Sequence, residues 1–216
     1  RSVSTSVTDE GGGRTFFEAG PHPELDLRGL FHPLTDADDA SRGLVLGLDA
    51  SVSVGISYLG ETGEHGLTSV RLRADVGYGA VLADRVELAG LLGFGVEGVA
   101  LDQADGFPST LYTFLRPGVL VRVRAIAEVL LVEAGVGGRI GLDGGDLAGA
   151  FGPGLGFGGV DAFAGVGGRA EGVHWAAHLG STYLALGFDG PGGPFADGVS
   201  GEDLTVEGRF LVGYSF

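Results

Sequence analysis

Residues 44 to 58 alternate without a break. Leu44, Leu46, Leu48, Ala50, Val52, Val54, Ile56 and Tyr58 point to one side, while Val45, Gly47, Asp49, Ser51, Ser53, Gly55 and Ser57 point to the other. Period two is the mark of an extended strand with one apolar face. A globular strand averages about 5–6 residues, so a run of this length needs an unusual setting.

The pattern recurs seven more times. Val70, Leu72, Val76, Tyr78 and Leu82 oppose Arg71, Arg73, Asp75, Gly77 and Gly79; Val86, Leu88, Leu92, Phe94 and Val96 oppose Glu87, Gly93, Gly95 and Glu97. Leu115, Val119, Val121 and Val123 oppose Arg116, Gly118, Arg122 and Arg124, and Leu130, Val132, Val136 and Ile140 oppose Glu133, Gly135, Gly137 and Arg139. Val160, Ala162, Ala164 and Val166 then oppose Asp161, Gly165, Gly167 and Arg169. Trp175, Leu179 and Tyr183 oppose His174, His178 and Thr182, and Leu204, Val206, Phe210, Val212, Tyr214 and Phe216 oppose Thr205, Glu207, Arg209 and Gly213. Short turns near 83–85, 125–128 and 170–173 alternate with longer Gly- and Asp-rich loops near 101–110, 143–156 and 189–202. These features predict an all-β meander of antiparallel hairpins, long loops at one end and turns at the other.

Composition narrows the class. There are 44 glycines, yet mean hydropathy is +0.29, which excludes a polar linker or a disordered tail. The absence of Cys excludes a disulfide scaffold and a thiolate metal site. No run of 18 apolar residues is present, so a spanning helix is not expected, and any membrane crossing falls to strands. With no Met anywhere, Arg1 is expected to follow a processing event, export with removal of a signal peptide being the expected cause.

Charge decides which face is wet. Amphipathic strands build either a soluble barrel with an apolar inside or a membrane barrel with an apolar outside. The polar face carries seven acids (Asp49, Asp75, Glu87, Glu97, Glu133, Asp161, Glu207) and eight arginines (Arg71, Arg73, Arg116, Arg122, Arg124, Arg139, Arg169, Arg209). The chain as a whole has 28 acids and 13 basic residues, every one of the latter Arg, for a net charge of -15. The excess of acid therefore sits in loops, turns and the N-terminal stretch. A strand face washed by solvent has no reason to balance its charges, whereas an enclosed face must pair them. The planar Arg fork suits crowded carboxylates, and the intervening glycines leave room for it. The polar face is thus expected inside, as a network of paired charges. The net acidity makes nucleic acid a poor partner.

Tyr58, Tyr78, Trp175, Tyr183 and Tyr214 lie on the apolar face toward strand ends, where amphipathic rings anchor at membrane interfaces. The last strand alternates through Phe210, Val212 and Tyr214 and ends on Phe216. In this it resembles the C-terminal assembly signal of small bacterial outer-membrane β-barrel proteins. The resemblance covers residues 43–216 as architecture and the last few residues as motif. It implies location in the outer membrane, a lipid bilayer around the barrel, and insertion by the barrel-assembly machinery.

Residues 43–216 are expected to form an eight-stranded transmembrane barrel. Residues 1–42 form a separate N-terminal segment, either periplasmic or plugging, or else add two strands to make ten. Leu25, Leu27 and Phe31 alternate with Asp26 and Arg28 between Pro21, Pro23 and Pro33, and residues 2–8 could pair with them.

Candidate chemistry is thin. His174 and His178 share the inward face near Asp161, but positions four apart on a strand are about 13 Å apart, too far for one metal. The acidic run at 35–40 lacks the Gly and distal Glu of a calcium loop. Residues 154–159 spell GxGxxG without a following helix to receive a phosphate. Ser181 with His178, or Asp189 with a nearby His, is the only raw material for a lipid hydrolase. No catalytic residue, metal or cofactor is expected. The expected role is structural, or recognition through the acidic external loops; a narrow channel for small anions is the alternative.

Overall fold

The computed structural model describes residues 1–31, 43–53, 56–60, 63–82, 85–101, 107–126, 129–152, 154–170, 173–188 and 198–214. The strands are β1 (Ser2–Asp9), β2 (Arg14–Ala19), β3 (Leu25–Phe31), β4 (Gly43–Val52), β5 (Ile56–Gly60), β6 (Gly63–Leu82), β7 (Val86–Leu101), β8 (Thr110–Ile126), β9 (Leu130–Asp143), β10 (Gly156–Ala170), β11 (Val173–Gly187) and β12 (Gly198–Tyr214). A short helix, α1 (Asp146–Phe151), lies between β9 and β10. All the strands belong to one antiparallel sheet, ordered β2, β1, β12, β11, β10, β9, β8, β7, β6, β4, β3, with β5 also on β6.

From β6 to β12 each strand pairs with its successor, the up-and-down meander that the alternation predicts. The first fifteen-residue run is two strands, however, interrupted after Val52, where the Ser53 amide bonds to the Ser69 carbonyl at 3.0 Å. β5 and β6 form a hairpin, with Gly60 opposite Gly63, so β6 begins well before Val70.

Residues 1–31 supply three strands to the same sheet. β1 pairs with β12, Ser2 opposite Val206, and also with β2; β3 pairs with β4, Leu25 opposite Val52. β2 and β3 thus stand at opposite ends of the pairing order, although only residues 20–24 separate them in the chain. Pro21 and Pro23 fall in that link and have no amide hydrogen to give a ladder. The short tether holds the two ends of the sheet near each other, and the sheet curls into a half-barrel.

Curling puts the apolar phase outside. Leu72, Val76, Val136, Val160, Leu179 and Phe210 are all roughly half exposed or more, as are Val206 and Val212. Arg71, Arg116, Arg139, Asp49, Glu97 and Asp161 are buried on the concave face. This is the inverse of a water-soluble β-sandwich or lipocalin-like barrel, where valines fill the middle.

The concave face is not polar throughout. Toward the long loops, Val3, Val7, Phe17, Leu67, Val99, Phe114, Leu184, Leu186 and Phe188 point inward and pack with α1, whose Leu147, Ala150 and Phe151 are buried. Phe107 stacks on Phe17 at 6.0 Å and meets Phe151 at 5.7 Å. The loop between β9 and β10, expected as a simple external connection, is therefore an apolar stopper for that end. Phe151→Ala should cost about 3–5 kcal/mol, the usual effect of deleting a buried aromatic ring, measured by denaturant unfolding in detergent. An unchanged midpoint would mean that α1 does not pack into the hollow.

Candidate functional site: a paired-charge interior

Below the apolar stopper comes a polar collar. Asp203 on β12 accepts hydrogen bonds from the Thr5 hydroxyl (2.7 Å) and from the Tyr112 hydroxyl (3.3 Å). Arg139 reaches the Thr182 hydroxyl at 3.1 Å and lies over the Phe114 ring, 4.4 Å from its centroid, linking the collar to the charges beneath.

The charges beneath are paired across the hollow. Arg116 on β8 forks onto both oxygens of Asp161 on β10, and Arg139 on β9 shares Asp161 (3.2 Å) while pairing with Glu97 on β7. Arg71 on β6 binds Asp49 (3.1 Å), Asp26 (3.1 Å) and Glu207 (2.6 Å). Arg209 on β12 returns to Asp49 at 2.7 Å and Glu207 at 2.6 Å. In the pairing order β6 and β12 stand six places apart, so the Arg71–Glu207 contact spans the hollow rather than running along the sheet. Arg73 pairs with Asp75 (3.0 Å), and Arg122 with Glu133 (3.1 Å) and Glu87 (3.6 Å).

Arg124 is placed differently. It is exposed at the turn end of β8, beyond this set, and its backbone amide bonds to the Arg85 carbonyl. The sequence pattern put it in phase with Arg122, but phase says nothing of height, and Arg124 stands where the hollow opens into the turn-end cavity, which it lines. The side chains of Tyr58, Arg169 and Tyr214, together with Phe216, residues 35–40 and Asp189, lie outside the described residues. Tyr78, Trp175 and Tyr183 stand on the convex face, exposed by 67%, 37% and 43%.

Several members were invisible in the alternation. Arg1 pairs with Glu24 (3.2 Å) and Glu97; Glu24 also accepts from the hydroxyls of Ser51 (3.1 Å) and Ser69. Arg28 on β3 lies 3.4 Å from Glu133, 3.2 Å from His178 Nδ1 and 5.1 Å from the centre of the Phe163 ring. The only signal for these was the short Leu25–Phe31 pattern, which puts Asp26 and Arg28 on the inner phase.

Glycine makes the crowding possible. Gly137 on β9 lies between Gly118 on β8 and Asp161 on β10, so the Arg116 side chain crosses directly over it. A Cβ at Gly137 would stand 2.6 Å from the guanidinium carbon. Gly135 is covered in the same way by the Phe163 ring, at 2.4 Å.

The other sequence candidates separate. His178 is buried and faces Glu133 at 2.5 Å, whereas Ser181 is exposed on the opposite face of β11, so the two cannot act as a nucleophile and base. Asp161 pairs with arginines and not with His174. Residues 156–159 are the start of β10, leaving no phosphate-binding turn. Among the described residues, no group of three or more His, Cys, Asp or Glu is disposed to hold a metal ion.

The space left is small in the middle and larger below. A gap of about 30 Å³ remains among Arg28, Asp49, Arg71 and Asp161, room for water but for little more. Toward the turn end a cavity of about 890 Å³ is bounded by Arg28, Arg122, Glu133, His174 and His178 with Leu27 and Val212. No family model matches the chain, and no curated protein or solved structure is significantly similar to it.

Arg139→Leu should leave Glu97 and Asp161 short of a cation and cost about 3–5 kcal/mol in detergent unfolding. Gly137→Val should cost comparably by displacing Arg116. Gly138→Val, whose Cβ would meet only Pro117 at 3.9 Å, should not. Equal behaviour of the two glycine variants would refute the crossing of Arg116 over Gly137.

Proposed function

We propose that this chain is an integral β-barrel of the bacterial outer membrane, blocked along its axis, whose role is structural or recognition through its loops. One observation carries it: exposed large apolar side chains line the convex face of a sheet curled around a hollow filled with paired charges. Monomeric soluble proteins rarely expose apolar patches beyond a few hundred Å², and the exposed apolar face here takes in β3, β4 and β6 to β12. Hydrocarbon is the solvent that such a face fits.

The strand count in this reading is ten. β2 with β3 makes one broken strand, β4 with β5 another, and β1 stands beside β12 with the opposite sense, as an even-numbered barrel requires. Trp175 and Tyr183 on β11 support the placement. Eight residues apart, they span about 27 Å along the strand, which after tilting is on the order of the roughly 25 Å apolar band between aromatic girdles.

A narrow anion channel is the second reading, favoured by the inward arginines and by the turn-end cavity. Against it stand the apolar stopper under the long loops and the water-sized gap at mid-height. A Ser181–His178 hydrolase has no support in the geometry, since the two side chains lie on opposite faces.

Purified protein should migrate on gels faster unheated than boiled, because membrane barrels resist detergent in the cold; identical migration would count against insertion. Leu72→Arg should weaken folding into bilayers by about 2–4 kcal/mol if the site lies near mid-membrane. In planar bilayers the intact chain should be silent, and so should a chain lacking residues 146–151, because the charge network still fills the hollow at mid-height. Unitary conductance from the intact chain would establish the channel instead.

A further inference from the structure

The curled sheet has a seam. β1 covers β12 only as far as Ser2, opposite Val206, so residues 207–214 have no backbone partner on that side among the described residues. β3 is bonded to β4 along one edge, and its other edge is equally bare among those residues. Between the two edges lies a cleft of about 350 Å³ bounded by Arg1, His22, Leu25, Glu207 and Phe210. The turn-end cavity continues it past Leu27 and Val212.

The two edges cannot simply zip together in this antiparallel sheet. From β12 through β11, β10, β9, β8, β7, β6 and β4 to β3, each strand is antiparallel to the next, so β12 and β3 run the same way. A strand of the opposite sense placed between them would be antiparallel to both. β1 already has that sense, and at its start the Arg1 nitrogen donates to the His22 carbonyl while the His22 amide donates to the Arg1 carbonyl, both at 2.8 Å. A strand continuing β1 through the Arg1 nitrogen would therefore enter the seam directly.

Register on the two sides agrees. With Ser2 opposite Val206, Arg1 falls opposite Glu207; counted back from Arg1, the third residue of a continuation then faces Phe210 and the fifth Val212. On the other flank Arg1 is paired with His22, so the third faces Leu25 and the fifth Leu27. Those four side chains are among the most exposed apolar groups in the molecule, at 72%, 67%, 73% and 65%. The second and fourth residues would instead lie beside Glu24, Arg209 and Asp26, which face the hollow. Independent pairings from either side thus give one phase.

We infer that the seam is the seat of an extended strand carried on the amino side of Arg1, apolar at its third and fifth positions and polar at its second and fourth. This rests on the membrane reading, because it is in hydrocarbon that bare backbone edges find no water and must be paired.

The chain has no cysteine, so paired cysteines report cleanly. A seven-residue alternating segment is added ahead of Arg1, with a cysteine at the fifth or the fourth position back from Arg1, in chains carrying Val212→Cys and refolded in detergent. Residues opposite one another in an antiparallel pair are about 4.5–5.5 Å apart, within disulfide reach. The fifth-position chain should cross-link several-fold more than the fourth, and the added segment should raise the temperature of heat modification. The unextended chain with Leu27→Cys and Val212→Cys should fail to cross-link. Equal yields at the two positions, or a ready disulfide in the unextended double variant that shows the seam closing on itself, would overturn the inference while heat-modifiable migration leaves the barrel standing. Loss of heat modifiability in every chain would overturn both.

Discussion

Everything in this molecule depends on keeping charges out of contact with an apolar exterior without leaving any of them alone. A carboxylate removed from water loses several kcal/mol of solvation even after relaxation, and a narrow hollow has little water to return. The arrangement answers this by sharing: Asp49 serves Arg71 and Arg209, Asp161 serves Arg116 and Arg139, and Glu97 serves Arg139 and Arg1. Arginine alone makes this possible, since its fork offers five donors to several carboxylates at once. A lysine ammonium, a single point of charge on a flexible stem, could not bridge from β6 to β12 and still reach Asp49. The use of Arg rather than Lys inside the hollow follows from this geometry.

The period-two pattern made the faces legible because a strand sends alternate side chains to opposite sides whatever the sheet does next. It located Arg71, Arg116, Arg139, Glu97 and Asp161 on the enclosed side. Their partners were not legible, because contacts such as Arg71 to Glu207 depend on how far the sheet curls and at what height each strand sits. Arg124 shows the same limit: the phase is right, but its height puts it in the open turn-end cavity rather than among the paired charges. The apolar stopper did leave a trace, in runs such as Leu111-Tyr112-Thr113-Phe114-Leu115 and Tyr183-Leu184-Ala185-Leu186, where alternation gives way to apolar residues in both phases. Such runs signal burial on both sides. The N-terminal strands were obscured by Pro21 and Pro23, which forbid a ladder locally without preventing strands on either side of them.

Glycine is the counterpart of the arginines. In an ordinary sheet it weakens a strand by offering nothing to pack. Inside a tight curl, volume is scarcer than contact area, and each long side chain needs a neighbouring strand with nothing on it. Gly137 under Arg116 and Gly135 under Phe163 are such places. The high glycine content is therefore read most simply as room for side chains from adjacent strands, and only secondarily as backbone freedom.

An interior of leucine would bury as much and need no partners, so stability alone does not account for the ions. Replacing buried ion networks by apolar side chains is often neutral or stabilising. Register offers a reason. Slipping one strand by a single residue turns every side chain to the wrong face, and the alternation already forbids it. Slipping by two preserves the faces and is invisible to hydrophobicity, most of all in strands rich in Gly, Ala and Val. It would, however, move Arg116 a full repeat away from Asp161 and bring it against Gly135 or Arg139 in β9 rather than over Gly137. In a smooth, glycine-rich sheet the paired charges are thus the part of the sequence able to distinguish one even register from the next.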